Sequence, residues 1–262
     1  TNPFTLDTEA LVEQLATAYP GIPILGGMAS GFPSDGRASL FADGQLRNEG
    51  ALLLAIGGNW TLYPVVSQGA MPIGQSWTIT DAERNVVRGI GGRPAVEVLI
   101  ETIRSLPAAD QARAGRNLLV GLAMDEYRDT FLRGDFLVRN LLGIDRAQGA
   151  IAVGDTVRVG QTIQFQVRDA EAASEELSAM LEDAKSSIGH RPAAALVYAC
   201  NGRGVGMFHE PDHDARAIEA QLGPVPVAGL FCNGEIGPVG GKTFVHGFTT
   251  SLALFVPRKD TP

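Results

Sequence analysis

The feature that most constrains the fold is a regular alternation of apolar runs and turns in the last third of the chain. Two runs, Ala193–Cys200 and Val225–Cys232, predict buried strands, and each leads directly into a glycine-rich loop. Between them, His213–Leu222 has helical spacing, and Thr249–Val256 predicts a further strand. Helix crossovers mixed with antiparallel neighbours favour an α+β or mixed α/β fold with mostly antiparallel sheets and flanking helices, rather than a doubly wound parallel sheet.

The rest of the chain consists of short apolar runs between turns, in keeping with its 32 glycines and 15 prolines. Helices are predicted at Thr8–Ala18 with Thr8 as a cap, from Pro94 onward, and through Ala184 with Asp169 as a cap. Strands are predicted at Ala38–Phe41, Ala51–Ile56, Leu62–Ser67, Ser76–Thr80, Val86–Ile90, Asn117–Met124, Gly149–Val153 and Gly160–Val167, and a strand or short helix at Phe136–Leu142. Pro107–Gly115 is the predicted linker between two lobes.

A faint internal repeat supports the idea of two lobes. Pro23–Gly31 is similar to Pro226–Gly234, since both read as a proline, an apolar run and a glycine-containing turn. Two related lobes and chance agreement of such turns both explain this similarity, and the sequence leaves the two explanations open.

Composition excludes several classes of protein. The chain of 262 residues carries a formal net charge of −8, which argues against binding to nucleic acids or anionic membranes. No run reaches the roughly 18 apolar residues of a membrane-spanning helix. The two cysteines, Cys200 and Cys232, are more typical of reduced thiols in the cytoplasm than of a disulfide framework, although a single bridge between them stays open.

The motifs of the C-terminal part resemble a known family. The C-terminal motifs together resemble the FIST C-terminal domain, which is named after F-box and intracellular signal transduction proteins. They are Leu196–Gly204, Met207-Phe208, Asp212–Asp214, Pro226–Pro238 and the Thr-rich strand at Thr249–Leu252. Upstream, Gly26–Ser30 and other short motifs are similar to the latter part of the FIST N-terminal domain. These motifs are Ser67–Gly69, Pro72–Gly74, Thr80 and Asn85, and Arg139-Asn140 matches a further family pattern.

The resemblance implies both a domain organisation and a function. Residues 1–90 would form an incomplete FIST N-terminal domain, because the early segment of the family pattern is absent, and residues 91–262 a FIST C-terminal domain. It further implies a non-catalytic, cytoplasmic sensory module that binds a small molecule, with amino acids and small carboxylates as candidate ligands. A link to signalling or ubiquitin-ligase machinery follows from the same resemblance. No catalytic residues, cofactor or metal ligands accompany it.

The loops after the two cysteine-ending strands contain the candidate ligand-binding residues. These residues are Cys200, Asn201, Arg203, Cys232, Asn233 and Glu235. The glycines around Arg203 let a ligand approach the backbone, and its guanidinium offers a planar fork for a carboxylate. If Arg203 and Glu235 converge, they either hold the two ends of an amino-acid zwitterion or pair with each other to brace the loops.

Other interpretations of the sequence remain. His209–Asp214 has the residue types of a metal site, but Pro211 interrupts it, and Asp212 or Asp214 fits better as a helix cap. Thr1 would suit an N-terminal nucleophile hydrolase if it is a processed terminus rather than an arbitrary first residue. Either cysteine would need a histidine base to act as a nucleophile. A protein-interaction scaffold is the third class.

Overall fold

The computed structural model describes residues 1–31, 38–115, 117–128, 130–131 and 134–258. The chain forms two compact units: unit 1 consists of Thr1–Gln68 and Ser174–Pro262, and unit 2 of Gly69–Ala173. Helices accompany mostly antiparallel sheets, so the predicted α+β class is confirmed. The predicted boundary between two family domains at residue 90 is not the boundary between these compact units, and it stays a prediction.

Four predicted helices form close to their predicted positions within the described residues, and two further short helices form at Ala108–Ala114 and Val205–Phe208, where none was predicted. They are α1 (Thr8–Ala18), α2 (Ala95–Ser105), α3 (Ala108–Ala114), α4 (Ala170–Ile188), α5 (Val205–Phe208) and α6 (His213–Leu222). The Asp169 carboxylate accepts a hydrogen bond of 2.8 Å from the N–H of Ala172 and so caps α4, as predicted. Helix α1 is instead capped by Asp7, which accepts from the N–H of Ala10 at 3.0 Å, so the predicted cap at Thr8 is wrong.

The strands are numbered in chain order. They are β1 (Gly26–Gly27), β2 (Leu40–Ala42), β3 (Gln45–Arg47), β4 (Trp60–Ser67), β5 (Ala70–Glu83), β6 (Val86–Ile90), β7 (Arg93–Pro94), β8 (Leu118–Ala123), β9 (Phe136–Asp145), β10 (Ala150–Val153), β11 (Thr162–Arg168), β12 (Ala194–Cys200), β13 (Val227–Cys232), β14 (Glu235–Val239), β15 (Lys242–His246) and β16 (Thr250–Pro257).

The main sheet of unit 1 has the strand order β13-β12-β16-β4. Strands β12 and β13 are parallel, whereas β12 with β16 and β16 with β4 are antiparallel. Helices α4 and α6 contribute apolar side chains to a core on one face of this sheet. The fully buried members of that core are Leu177, Leu181, Ile218, Leu252 and Leu254. Burial of this apolar surface stabilises the arrangement of the sheet and its two helices.

A smaller sheet of unit 1, with the order β1-β14-β15, lies close to the main sheet. A Cβ atom on Gly237 would lie 2.6 Å from a methyl group of Val66 and 2.7 Å from Ser251 Oγ. Glycine at this position therefore lets β14 approach β4 and β16. Strand β1 pairs with β14 through Gly26 and Ile236, so the first segment of the internal repeat pairs with the strand that follows the second.

Unit 2 is built on a sheet that closes on itself. Its strand order is β10-β9-β8-β11-β5-β6-β7, and an additional pairing of β10 with β6 completes the closure. The core contains side chains from these strands and from α2, among them Ile79, Leu99, Val120, Ile163 and Phe165. This unit has a hydrophobic core formed by its own residues.

The glycine-rich loop predicted after Cys232 contains two strands, β14 and β15, and two further predicted segments differ from the structure. Pro107–Gly115 is not a linker, because the residues between these two form α3. Proline and glycine are ordinary residues at the two ends of a helix, so their presence here does not indicate a linker. Ala51–Ile56 is not a strand, and Leu52, Leu53 and Leu54 are exposed. These leucines have strand-like sequence, but among the described residues no strand pairs with them. None of the helices in the described ranges is long and apolar enough to cross a membrane.

Candidate functional site

The parallel pairing of β12 and β13 brings the two predicted loops to one edge of the main sheet. Cys200 and Cys232, the last residues of these strands, are direct partners in the register. The chain leaves β12, passes through α5 and α6, and returns to run parallel in β13. In such a unit the carboxyl ends of both strands lie at the same edge, where ligands of open α/β sheets commonly bind.

Arg203 is the most constrained residue at this edge. Its side chain is fully buried, and the whole residue is 1% exposed. The Nε and Nη2 groups donate to the two carboxylate oxygens of Asp214 at 2.9 and 2.8 Å, and the guanidinium carbon lies 5.2 Å from the centre of the Phe208 ring. Among the residues that the structure describes, Nη1 has no hydrogen-bond partner.

The Asp214 carboxylate accepts further hydrogen bonds besides those from Arg203. Thr250 Oγ1 donates to its Oδ2 atom at 2.6 Å, and Nδ1 of His213 lies 2.9 Å from Oδ1. Burial alone would raise the pKa of this carboxyl, but the hydrogen bonds and the charge of Arg203 outweigh burial and lower the pKa to about 2. The carboxylate is therefore ionised throughout the physiological pH range.

The His213 ring connects this cluster to α4. It stacks on Phe208 with a centroid distance of 3.5 Å and an interplanar angle of 3°, and its Nε2 atom lies 2.8 Å from Ser174 Oγ. Because Nδ1 faces an ionised carboxylate, we assign the proton to Nδ1, and in the neutral ring Nε2 accepts from the serine hydroxyl. Phe208 thus contacts both the guanidinium of Arg203 and the imidazole of His213.

Glu235 follows Cys232 at the same spacing as Arg203 follows Cys200, but it lies on a strand and not in the predicted loop. It is fully buried at the start of β14, and its Oε2 atom accepts a hydrogen bond of 3.0 Å from the N–H of Thr249. Its register partner on β15 is His246, whose Nε2 atom donates to the carbonyl oxygen of Gly237 at 2.9 Å. A buried carboxylate is therefore fixed beside the edge that also contains Arg203.

The two cysteines differ in exposure and neither forms a disulfide bond in the structure. Cys232 is buried, and burial, together with the nearby charges of Glu235 and Cys200, raises the pKa of its thiol to about 12. Cys200 is half-buried, and its sulfur accepts a hydrogen bond of 3.4 Å from the N–H of Gly202. Of the two cysteines, Cys200 is therefore the more exposed residue.

The two asparagines of the predicted site link the loops through their backbones. Asn201 N–H donates to the carbonyl oxygen of Cys232 at 2.9 Å, and Asn233 N–H donates to that of Met28 at 3.0 Å. These bonds fix the start of each loop after its strand.

The structure corrects the predicted partners of two groups. In the described residues Arg203 pairs with Asp214, and the brace between Arg203 and Glu235, one of the two open alternatives, is not what holds the guanidinium. Asp212 is the residue before α6 but makes no capping hydrogen bond with its side chain, and the Asp214 carboxylate binds Arg203 instead of capping. Sequence reasoning missed Phe208, His213 and Thr250 as members of the cluster. The one sequence signal was that all three residues lie within the family motifs described above.

Thr1, the other candidate nucleophile, lies away from these loop residues along the chain but is in the same unit. Its Oγ1 atom lies 2.9 Å from Thr8 Oγ1, and its amine donates to the carbonyl oxygen of Gly27 at 3.0 Å. A hydrolase that uses Thr1 as its nucleophile stays a hypothesis.

Comparisons with known proteins match almost the whole chain. A family model described as the FIST N domain matches residues 1–93, and one described as the FIST C domain matches residues 95–238. An uncharacterized protein of Mycobacterium tuberculosis (strain H37Rv) is 42% identical over 255 residues, which are 97% of this chain and 66% of that protein. An uncharacterized protein of Mycobacterium bovis is 40% identical with the same coverage. The chain thus spans 66% of the length of these relatives.

Proposed function

Because the chain belongs to the FIST family, whose domains are sensory domains of signal transduction, we propose that it senses a small carboxylate-containing ligand, such as an amino acid. The proposed site is the edge where β12 and β13 end, with Cys200, Asn201, Arg203, Cys232, Asn233 and Glu235 as its residues. The ligand would signal to a protein partner in the cytoplasm.

The observation that carries this proposal is the arrangement around Arg203. Asp214 and Phe208 hold the guanidinium in one orientation, while Nη1 is buried with no hydrogen-bond partner in the described part of the chain. A buried N–H group without a partner is unfavourable by about 1–3 kcal/mol, and more for a charged group. A ligand oxygen that accepts from Nη1 removes this penalty, so the site is prepared for an acceptor.

The charges at the edge favour a zwitterion over a simple anion. Asp214 already balances the positive charge of Arg203, so a bare carboxylate would bring an excess negative charge to the cluster. Glu235 provides a second carboxylate at the start of β14, and an ammonium group near it would offset the charge of the ligand carboxylate. An α-amino acid carries both groups on one small scaffold.

The experiment is a thermal-shift screen of amino acids and small carboxylates, followed by calorimetry of every compound that raises Tm. A ligand that binds only the folded protein must stabilise it. We expect Arg203→Lys to weaken binding by at least about tenfold, because lysine cannot reproduce the planar fork. Arg216→Lys is the matched control, since Arg216 is exposed on the same helix as Asp214 and pairs with Glu210.

Two results would contradict the proposal. One is a folded Arg203→Lys protein with unchanged affinity for the ligand. The other is a complete screen in which no compound shifts Tm. If the Arg203 variant does not fold, side-chain ¹⁵N NMR of the wild-type protein replaces it: the Arg203 guanidinium signal must shift with ligand, and a signal that does not move rejects the site.

A further inference from the structure

We propose that Cys200 and Cys232 form a reversible disulfide bond when the protein meets a peroxide, and that this bond ties together the bases of the two loops. The proposal rests on strand register and stands whether or not a ligand binds at this edge. It assigns a redox function to two side chains that are both free thiols in the structure.

The register of the main sheet brings the two cysteines into the required relation. Cys200 and Cys232 are direct Cα partners in the parallel pairing of β12 with β13. Neighbouring strands lie about 4.8 Å apart, and disulfides join Cα atoms separated by about 4.4–6.8 Å. Partnered residues of parallel strands place their side chains on the same face of the sheet. The bond therefore forms without a change of strand register.

The electrostatics of the pair agree with this proximity. A negative charge on Cys200 is one of the causes that raise the pKa of the Cys232 thiol, after burial and the charge of Glu235. This coupling requires the two sulfur atoms to be close enough to interact. The conversion of both thiols to a neutral disulfide removes the possibility of two adjacent negative charges beside the Glu235 carboxylate.

The different exposure of the two thiols gives the reaction an order. Cys200 is half-buried, and the N–H group of Gly202 donates to its sulfur, which stabilises the thiolate. Cys232 is buried, and its pKa of about 12 keeps it protonated at neutral pH. Oxidation therefore begins at Cys200, and Cys232 is the resolving thiol.

The chemistry balances with hydrogen peroxide as the oxidant. The Cys200 thiolate attacks one peroxide oxygen, an S–O bond forms, the O–O bond breaks, and the hydroxide that leaves takes up a proton to become water. Cys232 then gives up its proton, its sulfur attacks the sulfenic sulfur of Cys200, the S–O bond breaks, and a second water leaves. Two thiols are oxidised to one disulfide, and one peroxide is reduced to two waters.

The wild-type protein provides the first test, because its only cysteines are Cys200 and Cys232. After treatment with one equivalent of hydrogen peroxide, the monomer should lose the mass of two hydrogen atoms and both alkylation sites under denaturing conditions. Reduction with dithiothreitol should restore the original mass and both alkylation sites. A peptide map should show the two cysteine-containing peptides joined within one chain.

Serine variants test whether oxidation begins at Cys200 and is completed by Cys232, as proposed, or whether each cysteine is oxidised independently. Cys232→Ser should accumulate a sulfenic acid at Cys200 that reacts with dimedone, whereas Cys200→Ser should lose most of the reaction with peroxide. The proposal is overturned if wild-type Cys200 is oxidised while Cys232 stays open to alkylation after unfolding. A disulfide found only between two chains on a non-reducing gel overturns it as well. Because both of these outcomes are measured on the wild-type protein, the test holds even where a variant fails to fold.

Discussion

At the scale of single residues, the cluster around Arg203 is organised by one ionised carboxylate. Asp214 accepts from Arg203, Thr250 and His213, and it thereby fixes the guanidinium, a strand residue and the aromatic stack of Phe208 with His213. A buried ion pair contributes little net stability, because both charges lose their hydration. The pair instead fixes the orientation of its members, and the removal of one partner leaves the other charge buried and alone.

The folded-state pKa of Asp214 makes this pair sensitive to acid. The pKa falls from 3.8 to about 2 on folding, so its stabilising contribution is complete above about pH 4 and is lost as the pH falls to about 2. Asp214→Asn should lower the free energy of unfolding at neutral pH by about 3–5 kcal/mol, because Arg203 is left without its charged partner. The difference between wild type and variant should shrink across the acid window.

Denaturant unfolding of both proteins between pH 6 and pH 2 measures this difference. Thr250→Val is a milder companion variant, since it removes one hydrogen bond to the carboxylate and keeps the ion pair. We expect it to cost about 1 kcal/mol at neutral pH. A difference between wild type and Asp214→Asn that stays constant down to pH 2 would show that the ionised carboxylate is not what stabilises the cluster.

The sequence predicted some members of this cluster and not others. Arg203 and Glu235 stand out because each follows a glycine directly after an apolar run that ends in cysteine, and Arg203 also precedes a glycine. The pairing of Arg203 with Asp214 depends on where α6 begins and on which face of that helix meets β16. The position of Asp214, shortly after a proline and near the start of a helix, favours a cap equally well. Only tertiary packing distinguishes the two roles.

At the scale of secondary-structure elements, the approach of β1 to the end of β13 depends on one missing side chain. A Cβ atom on Gly27 would lie 2.1 Å from the sulfur of Cys232, whereas one on Gly26 would lie 3.8 Å from its nearest neighbour, a methyl group of Ile236. The first distance is far shorter than any van der Waals contact, and the second is an ordinary one. Neighbouring glycines of the same strand therefore differ in their tolerance of substitution.

We expect Gly27→Ala to lower the free energy of unfolding by about 1–3 kcal/mol, the usual cost of forcing extra volume into a packed region. Gly26→Ala is the matched control and should stay within about 0.5 kcal/mol of wild type. Urea denaturation of the two variants and the wild type checks this. Equal stability of the two variants would contradict the close packing of β1 against Cys232.

The elements themselves show where sequence patterns fail. Helices α1, α4 and α6 were predictable because their apolar residues recur at helical spacing. The sequence predicts a glycine-rich loop where β14 and β15 form, because Gly237 and Pro238 are typical of turns. Gly237 is needed for close approach to Val66 and Ser251, and a partner that is distant along the chain does not appear in a local pattern.

At the scale of the whole molecule, unit 2 is a continuous stretch with its own core. Its sheet closes through the pairing of β6 with β10, and the side chains inside it come from Gly69–Ala173. A closed sheet leaves few exposed edges. Both properties are expected of a segment that folds by itself.

We predict that a fragment of residues 69–173 unfolds cooperatively in urea. Within it, Leu99→Ala should lower the free energy of unfolding by about 2–5 kcal/mol, because Leu99 is 1% exposed. Leu142→Ala is the matched control and should have little effect, since Leu142 is 61% exposed. A fragment without a cooperative transition, or with equal responses to the two substitutions, would contradict an independent core.

The pairing of β4 with β16 has a consequence for the order in which the protein is made. Residues of Trp60–Ser67 find their partners in Thr250–Pro257, so most of the chain must leave the ribosome before this pairing can form. At roughly 5–20 residues per second, β4 waits on the order of 10–40 s for β16. All of unit 2 is synthesised during that interval. Throughout it, β4, which follows the exposed leucines Leu52, Leu53 and Leu54, has not yet paired with β16. Completion of unit 1 therefore follows the synthesis of all of unit 2, and a ribosome that stalls between residues 173 and 250 releases a chain in which unit 2 can fold and unit 1 lacks β16.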